Sequence, residues 1–379
     1  MKNIKKAKLN YQEIIYLLYI IYFTIMYAIP QISNLLGKYS AIVNLIVTVF
    51  LFLLNIKEIS AKKVFLVVLA IFNLLIGMLI NDTGLGSLVT IINLYLLFLY
   101  SDKSKIRKDC IKISCFIVVV GEIIFFFVNK SVYNPNTIGY LYFVMSVFFY
   151  ILISEKEKNK GIQLFKIVFT ITNIVLIYKS ESRASILGFL TFLIFAYMPF
   201  IIKNRKVYKV LTFIIVLGGI IFPYIYVSMW NNGIKVEMEY SDKNFYSGRQ
   251  VKWSLMIEDF KGKELYGLGS NYRFPGSTNL NVHNSLFAIY MIYGIINFVI
   301  FLPMLISFIW KMRRNDSNEI NRIATAGIIG MIVVSYYESN LIWGNMFMYV
   351  VALSIIAMTK FEGDEKNNVQ NNGIHTDLQ

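Results

Sequence analysis

The sequence predicts an all-α integral membrane protein of about twelve transmembrane helices, and three observations carry that expectation. Apolar runs of about 17–25 residues, the length a helix needs to cross a bilayer, recur along the chain. Of its 379 residues 57% are hydrophobic, and the mean hydropathy is +0.59. Lysine and arginine gather in every second connection between the apolar runs, the bias of cytoplasmic loops. A formal net charge of +15 then reflects those loops rather than a nucleic-acid surface. The 26 Tyr and 30 Phe suit the two membrane interfaces, where rings with one wet edge settle.

The spans fall near 11–29, 39–55, 63–80, 85–100, 110–128, 137–153, 162–178, 184–202, 207–228, 284–309, 321–339 and 344–360. The first follows a basic start, MKNIKKAKLN, as a signal peptide would. Its apolar part is too long, however, and no small-residue cleavage site follows, so it is read as a span. Lys57, Lys62 and Lys63 follow the second span, Lys103, Lys105, Arg107 and Lys108 the fourth, and Lys156, Lys158 and Lys160 the sixth. Lys203, Arg205, Lys206 and Lys209 follow the eighth, and Lys311, Arg313, Arg314 and Arg322 the tenth. The alternate connections PQISNLLGK, NDTGLGS and NKSVYNPNT are nearly bare of charge. The pattern places both termini in the cytoplasm. Residues 1–360 read as one polytopic domain without internal repeat, and 361–379, polar and without aromatics after Phe361, as a disordered cytoplasmic tail. Cys110 and Cys115 offer neither a disulfide framework nor metal-ligand spacing.

One connection breaks the symmetry. Residues 229–283 form a long external loop between the ninth and tenth spans, with Trp230, Trp253, Tyr266, Tyr272 and Phe274 to fold it onto the membrane domain. Loops of this length are functional or disordered, and this one is not of low complexity. Ser247 and Gln250 form a capping-box pattern. Val251, Leu255, Met256 and Phe260 then fall at helical spacing, so a short amphipathic helix is expected near 248–261, ended by Gly262. Arg249 lies in its first turn, the end disfavoured for a cation unless an anion binds there. Arg183 stands likewise at the start of the eighth span, and His283, in NLNVHNSLF, at the start of the tenth. Arg183, Arg249 and Arg273 are the external arginines of a chain otherwise rich in lysine, and a guanidinium grips phosphate bidentately where an ammonium does not. Taken singly, each is equally an interfacial anchor or a solvated helix face. Their combination on one side of the membrane points to an anionic ligand.

The order SRAS before a span, GR…W, GLGS, and then HNSLF…YG at the next span resembles the O-antigen polymerase and ligase superfamily. These are the Wzy-type repeat-unit polymerases and WaaL-type ligases of bacteria. The likeness is strongest over about 179–294; the first 170 residues match in hydropathy only. It implies a glycosyltransferase of the cytoplasmic membrane that acts at the outer face. Donor and acceptor would be oligosaccharides on a polyprenyl diphosphate, and a flippase and a chain-length regulator its partners. Two arginines and a histidine carry the site in that family. By motif they fall on Arg183, Arg249 and His283. Ala184 stands where many members have glycine, and the loop is shorter than in many ligases.

The chemistry expected of such a site follows from charge. Breaking the bond at the sugar C1 leaves negative charge on the phosphate oxygens, which Arg183 and Arg249 would stabilise. The attacking sugar hydroxyl must lose a proton, and histidine, which titrates near neutrality, suits His283 to accept it. One displacement inverts the anomeric centre. The first external connection has no acidic residue, and Asp82, Glu181, Asp242 and Glu338 are scattered, so no metal or other cofactor is expected. Arg273, Tyr272, Trp253, Glu338 and the intramembrane Glu122 are further candidates for substrate contact, with Glu122 also suited to pair with Arg183 or to bridge helices. Two rivals stand beside the polymerase: a ligase that passes the glycan to a different acceptor, and a polysaccharide flippase. A flippase would carry charges along its central helices and show two related halves.

Overall fold

The computed structural model describes residues 9–29, 32, 35–81, 83–129, 134–154, 159–234, 246, 248–275, 282–313, 318–341 and 346–361. Every helix or strand among them is a helix. Helices α1 Tyr11–Ala28, α2 Ser40–Asn55, α3 Ala61–Ile80, α4 Leu85–Tyr100, α5 Lys108–Asn129, α6 Pro135–Ile153 and α7 Lys160–Lys179 come first. Then follow α8 Arg183–Tyr197, the short α9 Pro199–Lys203, α10 Arg205–Asn231, α11 Arg249–Asp259 in the loop, α12 Ser285–Met312, α13 Glu319–Val334 and α14 Phe347–Met358. Among the described residues nine helices (α1 to α7, α10 and α12) are long and apolar enough to cross a membrane, and α8 and α14 are shorter apolar helices.

Asparagine starts many of these helices. The side chains of Asn10, Asn134, Asn159, Asn204, Asn284 and Asn318 each accept from a backbone N–H of the first turn, which satisfies donors that have no partner within the helix. At α1 the cap is reciprocal, because Glu13 returns a bond to the Asn10 N–H. The span expected over 184–202 is two helices. Pro199 lacks an N–H and forces Met198 out of the helical region, to φ −102° and ψ 81°.

Packing defines two ends of the bundle. Helices α6 and α8 run parallel: Gly139 meets Ser182, Phe143 meets Phe189, and Tyr150 meets Tyr197. Both oppose α13. Phe143 lies against Gly330 and Val147 against Gly327. Helices α8 and α13 approach closely, since a Cβ on Gly188 would come within 2.9 Å of the Gly330 carbonyl oxygen. Small residues give membrane helices this approach. All of α14 is buried, as an all-round apolar helix must be. By contrast α7 exposes Leu164, Phe165, Ile167, Val168 and Ile171, the surface expected to face lipid. One end of the bundle gathers residues 134–136, 180–183, the described loop residues 248–275 and 282–284, and 335–341. The other gathers the lysine-rich connections: Lys311 and Lys63 lie 3.0 and 3.6 Å from Asp102, Arg313 donates to the carbonyls of Ile202 and Lys203, and Arg107 pairs with buried Glu13.

The loop is anchored through a break in α12. Gly294 has φ 75° and ψ 177° within an otherwise helical run. The carbonyls of Met291 and Ile292, freed by the break, accept from the N–H groups of Leu268 and Gly269. The N–H groups of Ile295 and Ile296, freed likewise, donate to the carbonyls of Glu264 and Leu265. Loop backbone thus replaces helix backbone, which lets irregular chain lie against a buried helix with its polar groups paired. Gly267 and Gly294 allow the contact: a Cβ on either would meet the other's backbone nitrogen at 2.6 Å.

The structure revises several expectations of extent. The loop helix is Arg249–Asp259, with Gly248 rather than a serine at its N-cap; Ser247 lies outside the described residues. Its buried face is Trp253 and Met256, continued by Phe260, while Val251 is exposed. Helix α13 ends at Val334, so Glu338 lies on a turn beyond it. The tail at 362–379, Asp82 and Asp242 lie outside the described residues.

Candidate functional site

Glu338 is the hub of a polar cluster at the loop end of the bundle. Its Oε1 accepts from Arg249 Nη2 at 3.1 Å and from Asn136 Nδ2 at 2.8 Å. Its Oε2 faces His283 Nδ1 at 3.6 Å. Arg249 Nη2 also donates to the Tyr337 carbonyl at 3.2 Å. The side chains of Arg249, Glu338 and His283 are 16%, 21% and 23% exposed, so the cluster is largely desolvated yet open. Here a charge pair is stronger than at a free surface.

Each member is placed by the chain around it. His283 adopts φ 53°, a left-handed conformation uncommon outside glycine. Its neighbours hold it there. Trp253 Nε1 donates to the Val282 carbonyl at 2.6 Å. Asn284 Nδ2 donates to the carbonyls of Gly219 and Tyr336 while its Oδ1 caps α12. The Ser285 N–H donates to the Ser335 carbonyl at 3.0 Å, and Ser285 Oγ to the Glu338 carbonyl at 3.2 Å. The HNS stretch and the 335–341 turn are therefore one hydrogen-bonded unit. Arg183 begins α8 directly after Ser182, whose Oγ bonds Ser185 Oγ at 2.7 Å and lies 3.5 Å from the Asn136 carbonyl oxygen. Asn136 in turn reaches Glu338. The sequence places Arg183, Arg249 and His283 far apart, and the fold brings their helix starts to one floor.

The other candidates fall elsewhere. Trp253 is fully buried among Phe222, Tyr226 and Phe287, so it is core and presents no open face to a sugar. Glu122 is buried in α5 and takes a hydrogen bond from Tyr349 on α14; its partner is that tyrosine and not Arg183. Arg273 is exposed and donates to the carbonyls of Ser270 and Tyr272, closing its own turn. Tyr272 is half-buried and donates to Asp259 Oδ2 at 2.6 Å. Burial and then the adjacent Asp259 carboxylate push its phenol well above the usual tyrosine range. Sequence reasoning missed Asn136, the second anchor of Glu338. Its one signal was the NPN turn, which reads as a simple helix start.

Arg249 and Glu338 balance in charge, Arg183 begins α8 at the same end of the bundle with Glu181 two residues before it, and a protonated imidazole adds positive charge. Desolvated guanidinium groups at helix starts suit an anion with several oxygens, such as a phosphate or diphosphate. Compared with family models, with curated proteins and with solved structures, the chain matches none of them.

Proposed function

We propose that the protein is a membrane glycosyltransferase that polymerises polyprenyl-diphosphate-linked oligosaccharide repeat units on the outer face of the bacterial cytoplasmic membrane. In this reading the chain crosses the membrane twelve times with both termini cytoplasmic, α8, α13 and α14 completing the nine longer spans. The observation that carries the reading is the convergence of Arg249 and His283 on Glu338, beside Arg183, at the bundle end opposite the lysine-rich connections. Motif order adds the likeness to the O-antigen polymerase and ligase superfamily.

The proposed step is a single inverting displacement without metal. The acceptor hydroxyl oxygen attacks the donor C1 while His283 takes its proton. The bond from C1 to phosphate oxygen breaks, and its electron pair leaves with the lipid diphosphate. Arg183 and Arg249 hold that charge. The proton on the imidazole passes to the external water. The test is purified protein supplied with lipid-diphosphate oligosaccharide and products resolved by size. A ladder of repeat lengths on lipid diphosphate is the expected result. One-step transfer to another acceptor would instead make the protein a ligase. Lipid translocation with no new glycosidic bond would overturn the reading in favour of a flippase.

A further inference from the structure

Glu338 performs no step in the reaction just described, yet the cluster closes on it. Its two oxygens differ. Oε1 is fixed by donors from two separate elements, Asn136 at the start of α6 and Arg249 at the start of α11. Oε2 is left facing His283 Nδ1. The backbones of the two residues are also tied, because Ser285 Oγ reaches the Glu338 carbonyl and the Ser285 N–H reaches Ser335. A carboxylate so anchored cannot swing away from the imidazole without breaking contacts to two separate elements.

The chemistry of that juxtaposition is directional. A neutral imidazole carries one N–H and one lone pair, and a carboxylate only accepts. A carboxylate at Nδ1 therefore holds the proton there and leaves the lone pair on Nε2. Free histidine in water prefers the opposite tautomer, with its proton on Nε2. We propose that Glu338 is a positioning residue that fixes His283 as the Nδ1–H tautomer, so that Nε2 is the atom facing the reacting hydroxyl. As Nε2 takes the acceptor proton, the carboxylate also stabilises the imidazolium that forms, with Arg249 the neighbouring cation that limits this gain. The 3.6 Å separation shortens when a ligand packs the site, as hydrogen bonds of this kind do on substrate binding. The role of Nε2 in catalysis rests on the glycosyl-transfer reading; the tautomer does not.

The chain allows a direct measurement, because His283 and His375 are its only histidines. Protein carrying His375→Gln and histidine labelled with a heavy nitrogen isotope, in lipid nanodiscs, gives the ring-nitrogen resonances of one imidazole. In alkaline buffer, where imidazole is neutral, the Nδ1–H tautomer is expected to predominate. Glu338→Leu removes the acceptor at similar size and is expected to return the ring to the Nε2–H form. Glu338→Gln keeps its one carbonyl oxygen on Asn136 and Arg249 and turns an NH2 toward Nδ1, so it too is expected to give the Nε2–H form. A wild-type imidazole with its proton on Nε2 overturns the proposal, whether or not Glu338→Leu folds. An unchanged tautomer in folded Glu338→Leu overturns it as well. Activity is read separately: in an enzyme that extends lipid-diphosphate oligosaccharide, Glu338→Leu should lower kcat on the order of a hundredfold. An Nδ1–H imidazole in a protein that makes no glycosidic bond keeps the dyad and refutes the transfer reaction; glycan product from a protein with an Nε2–H imidazole does the reverse.

Discussion

Replacing Gly294 by alanine tests the joint between the loop and the membrane domain. At φ 75° a methyl group is strained, and it would lie 2.6 Å from the Gly267 nitrogen and against the Leu265 carbonyl, backbone on both sides. No side chain can turn away to make room. Helix α12 is expected to straighten instead, expelling residues 264–269. Four loop-to-helix hydrogen bonds are lost, from Leu268, Gly269, Ile295 and Ile296. Straightening restores two of them within the helix, Ile295 to Met291 and Ile296 to Ile292. At about 0.5–1.5 kcal/mol for each of the two bonds not recovered, the cost is about 1–3 kcal/mol. Thermal unfolding in detergent measures it, and amide hydrogen exchange locates it. Leu268 and Gly269 should lose protection while Ile295 and Ile296 keep theirs. Gly267→Ala strikes the same contact from the other side, so the double variant should be no less stable than the weaker single one. Loss of protection at all four amides, or fully additive costs, would refute the idea that loop and helix exchange the same hydrogen bonds.

The remaining predictions concern the site and its supports. Arg183→Ala, Arg249→Ala and His283→Ala should each fold and lose most turnover on lipid-diphosphate substrate, with Arg249→Lys restoring part of it; wild-type rates in any alanine variant remove that residue from the mechanism. Trp253→Phe leaves the buried Val282 carbonyl without its donor, at about 1–3 kcal/mol of stability, read as a lowered melting temperature. Tyr272 titrates higher when folded than when unfolded, so its contribution is complete below about pH 10, the unfolded value, and is lost as pH rises from there. The stability gap between wild type and Tyr272→Phe should accordingly stay constant below that pH and close above it in alkaline denaturation. Turnover should persist in EDTA; complete loss restored by Mg²⁺ or Mn²⁺ would refute the metal-independent step.

Apolar runs and lysine placement made the helical segments legible, because both follow from the bilayer and not from neighbours. The ends of α12 and α13 were not legible. The run from Ile320 to Tyr337 stays largely apolar past the last helical residue, and what stops the helix is the Ser285 N–H on the Ser335 carbonyl, a contact with a distant segment. The break at Gly294 lies in an unbroken apolar run for the same reason. On α11 the 3.6-residue period allows two stripes, 251–255 and 253–256–260; only the position of Phe222 and Tyr226 beneath it selects the one with Trp253. Arg249 and His283 stood out because arginine and histidine are rare beside lysine in this chain. Asn136 did not, because an asparagine after Asn-Pro is an ordinary way to begin a helix.

The strain at His283 bears on why this floor is a site at all. A residue with a Cβ at φ 53° costs on the order of 1–3 kcal/mol and persists only where surrounding structure over-determines it. Here the residues on either side are over-determined: Val282 by the Trp253 indole, Asn284 by two carbonyls and a helix N-terminus, Ser285 by the 335–341 turn. None of these bonds is made by the imidazole itself, so its aim is fixed by other residues' contacts. A His283→Gly substitution separates the two effects. It should raise stability by removing the strained Cβ, in proportion to that cost, while abolishing whatever the imidazole does. A variant that gained stability and kept its turnover would show the strain to be incidental, and the cluster on Glu338 would then be a structural ion pair.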